Sequence, residues 1–331
     1  MSQKLIDSYN RPIDYLRISV TDRCNLRCVY CMPSEGIALM GADNILRYEE
    51  LIRIAAVAVK HGITKLRITG GEPLIRKGIV EFIEELAKLQ GVVDLSLTTN
   101  GVLLKEFALS LKRAGLTRVN VSLDSLNKER FHKITRGDFL ENVMDGLEEA
   151  ERAGLNPLKI NCVAIKGFND DEILDFALLT KKKPYHIRFI EYMPFDAQAE
   201  WDRDKCISAS QIMEKINSFQ KLIPLGDPEK RTGPARRYKF IDGIGEIGFI
   251  NPVSDHFCGT CNRLRLTADG KLRTCLFSDA ELDIKAAIRN GCTDRVIEDL
   301  LFRAVKEKPE RHHISDNVFK KCSRTMNFIG G

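Results

Sequence analysis

The feature that most constrains the fold is an alternation of short strand patterns with longer helical patterns over the first 190 residues. The predicted strands are Tyr15–Val20, Lys65–Thr69, Asp94–Thr98, Arg118–Leu123, Leu158–Ile165 and His186–Ile190. The predicted helices are Glu49–His61, Ile79–Leu89, Leu103–Ala114, Leu140–Ala153 and Asp171–Lys181. A glycine follows most of these helices, as at many helix C-caps. About six such alternations predict parallel βα units, too few for a closed eight-unit barrel.

Polar side chains occupy every second position of nearly every predicted strand. Residues two apart on a strand share one face of the sheet, whereas an ordinary parallel sheet is apolar on both faces. We therefore expect an α/β fold in which a partial, six-unit βα barrel encloses a polar, substrate-holding lumen, rather than a doubly wound sheet. The polar positions are Arg17, Ser19, Lys65, Arg67, Thr69, Ser96, Thr98, Asn120, Ser122, Lys159 and Asn161.

The pattern changes after residue 220 and predicts a smaller C-terminal α+β domain. Prolines and glycines between residues 224 and 234 indicate a loop or linker, so we place the domains at residues 1–225 and 226–331. Predicted elements of the second domain are strands at Arg236–Phe240, Ile247–Ile250 and Arg263–Leu266, and helices at Asp283–Arg289 and Asp294–Lys306.

Composition excludes disordered, collagen-like and membrane-spanning chains. Hydrophobic residues make up 44% and charged residues 29%, as in globular proteins, and no apolar run reaches the roughly 18 residues that a membrane span needs. Met1–Asp7 lacks the apolar stretch of a secretory signal, so we expect a cytoplasmic, reducing location. The ten cysteines therefore indicate metal binding or catalysis rather than disulfides. The net charge of +5 suits a phosphorylated small molecule and indicates nucleic acid only weakly.

Cys24, Cys28 and Cys31 follow the first predicted strand, which in a parallel barrel ends at the active-site rim. Three thiolates can bind three irons of a [4Fe–4S] cluster and leave the fourth iron to a chelating ligand. Two alternatives stay open on spacing alone. The three positions share a helix face and could form a buried stripe. They could also bind zinc, which usually takes four ligands in structural sites.

Cys258, Cys261 and Cys275 form a second group of three. They predict another [4Fe–4S] cluster with an open iron, or a zinc site with His256 as the fourth ligand. Arg263 and Arg265 share a face of the next predicted strand, and arginine binds phosphate bidentately; the alternative is a solvated basic edge. The remaining cysteines are predicted to be small core or surface residues, namely Cys162, Cys206, Cys292 and Cys322.

Two motifs carry a resemblance to a known family. The segment Cys24–Cys31 resembles the signature of radical S-adenosylmethionine enzymes, and Gly70-Gly71-Glu72-Pro73 is similar to their GGEP motif. The resemblance implies that S-adenosylmethionine chelates the open iron of the first cluster through its amino and carboxylate groups. It implies cofactor contacts at Tyr30, Gly71, Ser122 and Met193.

Along nearly the whole chain, the order of motifs resembles the branch of this family that cyclises GTP in the first step of molybdenum cofactor biosynthesis. The motifs are Ser19–Cys24, Arg67–Pro73, Thr98–Gly101, Asn120–Asp124, Arg188–Glu191 and Cys258–Arg265. The resemblance implies that the open iron of the second cluster binds guanine. The residues that it assigns to GTP are Arg17, Lys65, Arg67, Thr98, Lys159, Arg188, Arg263 and Arg265.

The same resemblance implies a reaction and partners. A 5'-deoxyadenosyl radical takes hydrogen from C3' of the ribose, and C3' then bonds to C8 of guanine, giving (8S)-3',8-cyclo-7,8-dihydroguanosine 5'-triphosphate. The expected partners are an electron donor and a cyclic pyranopterin monophosphate synthase that receives the product. We expect a monomer or homodimer, with no membrane and no stable nucleic acid.

The C-terminal tail, Thr325–Gly331, is predicted to enter the active site, with Gly330 and Gly331 as catalytic residues. Its apolar side chains would gain from docking, and glycines can thread a narrow passage. The alternative is a frayed terminus. The family resemblance links this tail to the radical step.

Two other functions stay open. One is a different radical S-adenosylmethionine enzyme, such as a peptide-modifying maturase, although those often carry more C-terminal cysteines. The other is a non-enzymatic metal- or nucleic-acid-binding protein. Its basis is a short cationic stretch with few aromatic residues, containing Lys230, Arg231, Arg236, Arg237 and Lys239.

Overall fold

The computed structural model describes residues 3–193, 202–226, 233–312, 314 and 324–330. Within these ranges the strands form one twelve-stranded sheet with the order β12-β11-β10-β1-β2-β3-β4-β5-β6-β9-β8-β7. The six central strands are parallel, which confirms the predicted α/β fold with a six-unit partial barrel. They are β1 (Tyr15–Ser19), β2 (Lys65–Thr69), β3 (Asp94–Thr99), β4 (Arg118–Ser122), β5 (Lys159–Ala164) and β6 (His186–Glu191).

The barrel helices cover the outer face of these strands. They are α1 (Tyr48–Lys60), α2 (Ile79–Ala87), α3 (Leu104–Arg113), α4 (Lys128–Thr135), α5 (Leu140–Arg152) and α6 (Ile173–Lys182). The sequence analysis missed α4, which is mostly polar. Its one local signal is Asn127, whose side chain accepts a hydrogen bond from the backbone N–H of Arg130 and caps the helix.

The C-terminal part of the chain extends the barrel sheet at both edges. β9 pairs in parallel with β6, and β10 pairs in parallel with β1. The strands are β7 (Leu222–Pro224), β8 (Arg236–Phe240), β9 (Glu246–Ile250), β10 (Arg263–Leu266), β11 (Lys271–Arg273) and β12 (Leu282–Asp283). The helices are α7 (Ala209–Asn217), α8 (Lys285–Arg289), α9 (Asp294–Lys306) and α10 (Met326–Ile329). The domain boundary after residue 225 stays a prediction.

The two faces of each barrel strand have different surroundings, the apolar core on one side and the lumen on the other. Leu16 and Ile18 are fully buried in the apolar core beneath the helices, whereas Arg17 between them lines the lumen. β2 repeats the pattern with Arg67, so alternation along each strand separates core from lumen. Among the described helices, none is long and apolar enough to cross a membrane.

The register of the sheet sets which luminal side chains meet. Arg17 of β1 lies opposite Arg67 on one side and Arg265 on the other. Tyr15 lies opposite Arg263. Because paired residues of parallel strands point to the same face, the C-terminal arginines join the wall built by the first strands.

Candidate active site

A cavity of about 470 Å³ occupies the barrel lumen and is lined by side chains from all six barrel strands and from β10. The described lining residues include eight cations but only two carboxylates, those of Asp94 and Asp124. A modest net charge over the whole chain therefore conceals a strongly cationic interior. The eight cations are Arg17, Lys65, Arg67, Arg118, Lys159, Arg188, Arg263 and Arg265.

The basic side chains of the lumen destabilise one another's charged forms, and the pKa values of several of them are lowered in part as a result. Burial, reinforced by Arg188, lowers the pKa of Lys159 to about 6. Burial and Arg67 lower the pKa of Arg188 to about 9, and burial and Arg263 lower the pKa of Arg265 to about 10. A bound anion would reverse these shifts, because an opposite charge favours the protonated form. The lumen is therefore built for an anionic ligand.

Several buried polar atoms in the lumen lack a hydrogen-bond partner within the described part of the chain. They include the hydroxyl oxygens of Tyr15 and Thr98, the side-chain carbonyl oxygen of Asn161 and one carboxylate oxygen of Asp94. Leaving such groups unpaired costs about 1–3 kcal/mol each. Native proteins rarely tolerate this except at sites where a ligand completes the hydrogen bonds.

The structure brings together all eight residues that the resemblance assigned to GTP, since each lines this one cavity. It adds residues for which no role was predicted, among them Tyr15, Asp94, Arg118 and Asn262. Extending the alternation by one step would have found three of them. Tyr15 precedes Arg17 by two positions, Asp94 precedes Ser96, and Arg118 precedes Asn120.

The first cysteine group lies on an irregular loop after β1 and lines the same cavity. The alternative prediction, that these three cysteines form a buried stripe on one face of a helix, is therefore wrong. Burial raises the pKa of the Cys28 thiol, as do the nearby thiols of Cys31 and Cys24. The Asn100 amide donates to the Cys24 sulfur at 3.8 Å. Three cysteines that form no disulfide lie on one loop that lines the cavity, and such a set fits the ligands of a cluster.

The Gly70-Gly71 turn packs against this loop. The Gly71 N–H donates to the carbonyl oxygen of Thr21 at 2.7 Å. A β-carbon on Gly71 would lie 2.2 Å from the carbonyl oxygen of Arg23, so only glycine fits. Burial raises the pKa of the adjacent Glu72 to about 7, although three donors, including the Thr99 hydroxyl, stabilise its carboxylate.

The predicted cofactor contacts also meet here, because Tyr30, Gly71, Ser122 and Met193 all line the cavity. The Tyr30 hydroxyl donates to the Asp124 carboxylate at 2.5 Å. Burial raises the pKa of Asp124 to about 6. No role was predicted for this carboxylate, although it ends the Asn120–Asp124 motif directly after the predicted fourth strand.

The second cysteine group borders the opposite part of the cavity. Cys258 and Cys261 flank a short helical turn before β10, and Cys275 follows β11. Their neighbours Phe257, Asn262 and Leu276 line the cavity. Burial alone would raise the pKa of the Cys261 thiol, but the cations of Lys308 and Arg263 outweigh it and lower this pKa.

The zinc alternative finds no support at the second group. His256 packs edge-on against the ring of His312, with centroids 5.5 Å apart. No three His, Cys, Asp or Glu side chains of the described residues converge on one metal ion. Thiolates that bind different irons of a cluster do not need to converge in this way, whereas the ligands of a tetrahedral zinc ion do.

The tail reaches the lumen as far as the structure describes it. Gly330 is buried, and its carbonyl oxygen accepts a hydrogen bond from Arg265 at 3.1 Å. A β-carbon on Gly330 would lie 2.4 Å from the Thr69 hydroxyl. Arg324 anchors the tail through ion pairs with Asp269 and Glu281. Gly331 lies outside the described residues.

The remaining sequence features lie away from the cavity or outside the description. Arg236 pairs with Asp255 and Arg237 with Glu246, which is typical of a solvated charged surface. Lys230 and Arg231 fall outside the described residues. Cys162 is buried in the core, Cys206 and Cys292 are half-buried, and Cys322 is not described.

Comparisons with known proteins agree with this architecture. The Radical SAM superfamily model matches residues 18–180, and the model Molybdenum Cofactor Synthesis C matches residues 185–314. The structure of Streptococcus suis SuiB bound to S-adenosylmethionine aligns with 91% of this chain and 66% of its own, with a TM-score of 0.58 at 15% identity. The AdoMet-bound structure of anSMEcpe aligns with 89% of this chain and 78% of its own, with a TM-score of 0.60 at 16% identity. At such identities the likeness shows the fold alone.

The family match, the fold and the cysteine loop define a radical S-adenosylmethionine protein, a class with S-adenosylmethionine and an iron–sulfur cluster as cofactors. Among its relatives, the GTP 3',8-cyclase of Thermodesulfovibrio yellowstonii is 52% identical over 98% of this chain and 99% of its own. The GTP 3',8-cyclase of Moorella thermoacetica is 49% identical over 98% of this chain and 99% of its own. The chain belongs to the GTP 3',8-cyclase family.

The contact between Gly71 and the cysteine loop generates a prediction. Gly71→Ala should displace the Arg23 carbonyl and with it Cys24, because backbone atoms cannot yield as a flexible side chain can. We expect the variant to contain less iron than the unmodified chain after anaerobic reconstitution. Gly41→Ala is the control, since a β-carbon there meets no atom closer than 3.9 Å. Full iron content in Gly71→Ala would contradict the expectation.

Proposed function

We propose that this protein converts GTP to (8S)-3',8-cyclo-7,8-dihydroguanosine 5'-triphosphate by radical S-adenosylmethionine chemistry, at the start of molybdenum cofactor biosynthesis. Besides membership of the family, the lining of the lumen supports this function. A lumen that joins the cysteine loop is lined by eight lysine and arginine side chains and by unpartnered polar atoms. That combination suits a polyanionic nucleotide held beside a radical source.

Residues at the rim of the barrel and residues deeper in the lumen have different proposed roles. Cys24, Cys28 and Cys31 would hold the first cluster at the rim, with Gly71 leaving room for the methionine part of the cofactor. When bound, this cluster supplies the electron that cleaves S-adenosylmethionine and so provides the radical that takes hydrogen from the ribose. The predicted adenosyl and methionine contacts are Tyr30, Gly71, Ser122 and Met193.

The cations would hold GTP deeper in the lumen. Arg17, Arg263 and Arg265 stand side by side on β1 and β10, an arrangement that suits the triphosphate. Lys65, Arg67, Thr98, Lys159 and Arg188 complete the proposed set. GTP that fills the lumen would displace water from it, which protects a reactive radical from side reactions.

We also propose that Cys258, Cys261 and Cys275 hold a second [4Fe–4S] cluster that orients the guanine. The cations of Lys308 and Arg263, which lower the pKa of the Cys261 thiol, support a thiolate ligand at that one position. In this arrangement residues 1–225 carry the first cluster and residues 226–331 the second. An electron donor and a cyclic pyranopterin monophosphate synthase would act before and after this protein, which would be a monomer or homodimer.

The proposal is tested by anaerobic reconstitution and assay. About eight irons and eight sulfides per chain are expected from two four-iron clusters. Incubation with GTP, S-adenosylmethionine and a reductant should yield the cyclised triphosphate together with methionine and 5'-deoxyadenosine. GTP labelled with deuterium at C3' should transfer its label to 5'-deoxyadenosine. Cleavage of S-adenosylmethionine that leaves GTP unlabelled and unchanged would overturn the function.

Arg263 and Arg265 provide a sharper test of substrate binding. Changing either to Ala should weaken GTP binding by at least ~1.5 kcal/mol, the usual loss for a charge-assisted hydrogen bond. Equilibrium dialysis should therefore show an affinity at least about tenfold lower, while cleavage of S-adenosylmethionine by dithionite without GTP survives. Arg152→Ala removes the same charge from the exposed end of α5 and is the control. Unchanged affinity in both variants would remove these arginines from the site.

The lowered pKa of Lys159 predicts that GTP binding is coupled to the uptake of a proton. Its pKa of about 6 leaves it mostly neutral at pH 7.5, and a nearby triphosphate should raise that pKa. GTP binding at pH 7.5 should therefore take up about one proton, and the affinity should fall as the pH rises. Anaerobic calorimetry in two buffers of different ionisation enthalpy measures the uptake. The linkage should vanish in Lys159→Met, and equal heats in both buffers for the unmodified chain would contradict it.

The tail is proposed to position GTP or to assist hydrogen abstraction without holding either cluster. The buried Gly330 and its hydrogen bond to Arg265 support this role. Deleting Gly330 and Gly331, or appending two alanines, should leave the iron content unchanged and abolish the cyclised product. Full product formation by the deletion variant would refute the role.

A further inference from the structure

Lys308 is a buried cation at the second cysteine group that the proposed chemistry does not use. It follows α9 and is only 4% exposed. Its ammonium donates to the carbonyl oxygens of Thr274 and Arg263, at 2.5 and 3.1 Å, and to the sulfur of Cys261 at 3.5 Å. These three acceptors match the three N–H donors of the group.

No described carboxylate forms an ion pair with Lys308. Two carbonyl dipoles and a neutral thiol do not compensate a full charge that has left water, and an uncompensated buried charge is costly. A thiolate does compensate it. The contact at 3.5 Å therefore places this buried charge against one of the three cysteines that are proposed to hold the second cluster.

The position of Lys308 separates it from the substrate. Arg263 and Arg265 line the cavity, but Lys308 is not among the described lining residues. Its ammonium approaches Cys261 from the side of β11, where it contacts the Thr274 carbonyl. A role in GTP binding does not explain why a lysine is buried at this place.

Arg11 holds the chain segment that carries Lys308. Its guanidinium donates to the carbonyl oxygens of Pro309 and Glu310 at 2.7 Å, and to that of Cys258 at 2.6 Å. Asp7 fixes the guanidinium through an ion pair at 2.6 Å. The same side chain thus ties the segment after Lys308 to the loop of the second cysteine group, and Lys308 is held in place beside Cys261.

We propose that Lys308 is a positioning residue for the second cluster, whose ammonium fixes the Cys261 thiolate, offsets the negative charge of the cluster and raises its reduction potential. This inference rests on the second cluster of the proposed function. Reduction adds negative charge to the cluster, so a neighbouring cation stabilises the reduced form more than the oxidised form. Hydrogen bonds to the cluster's sulfurs act in the same direction.

The test isolates the second cluster in the full chain. Cys24→Ser, Cys28→Ser and Cys31→Ser together remove the first cluster, and the reconstituted background should retain about four irons. A redox titration monitored by electron paramagnetic resonance then gives the midpoint potential of the second cluster alone. Lys308→Gln keeps a hydrogen-bond donor without the charge, Lys308→Met loses both, and Lys306→Met removes the same charge from an exposed position two residues earlier.

We expect Lys308→Gln to shift the midpoint to a more negative potential, and Lys308→Met to shift it further and to contain less iron. Lys306→Met should match the background. Loss of iron from both Lys308 variants but not from Lys306→Met, with unchanged circular dichroism, also supports the proposal.

Unchanged potentials in both Lys308 variants would overturn the role of Lys308 while leaving the second cluster intact. A background without iron, or with zinc in its place, would overturn the second cluster itself and the role of Lys308 with it. The two failures are therefore distinguishable. At matched iron content, the GTP affinity of Lys308→Gln should stay within about twofold of the background, and a tenfold loss would show that the side chain acts on the substrate instead.

Discussion

The parallel pairing of β1 with β10 is the contact on which the site depends. It joins two strands almost 250 residues apart in the chain and brings Arg263 and Arg265 next to Tyr15 and Arg17. The same pairing puts the second cysteine group, which flanks β10, at the border of a lumen whose far rim carries the first. Without it the barrel would keep the first cysteine group and lose much of the cationic wall of the lumen.

Electrostatics distinguish the two cysteine groups. At the first group, burial raises the pKa of Cys24 and of Cys28, and the nearby carboxylate of Glu72 raises that of Cys24 further. At the second group, burial raises the pKa of Cys258, but Lys308 and Arg263 lower the pKa of Cys261. The two groups therefore present different charge environments to otherwise similar triads, and such differences tune the potential of iron–sulfur clusters.

Much of the barrel was predictable because local patterns and the tertiary structure agree there. β2 spans the predicted residues, and the other barrel strands differ by no more than one residue at either end. Amphipathic helices such as α1 and α5 were found because their apolar faces repeat with the helical period. α4 and β7 were missed, since a polar helix and a three-residue edge strand containing Pro224 give almost no periodic signal.

The sequence by itself determined the alternation of core and luminal side chains, the two cysteine triads and the glycines that the cysteine loop requires. These are local properties, decided by residues a few positions apart. Only the tertiary structure decided that the C-terminal strands join both edges of the barrel sheet and that the eight cations face one cavity. It alone placed Lys308 against Cys261, and Gly330 against Arg265. Contacts between distant segments depend on which strands pair and in which register, and no local pattern specifies that choice.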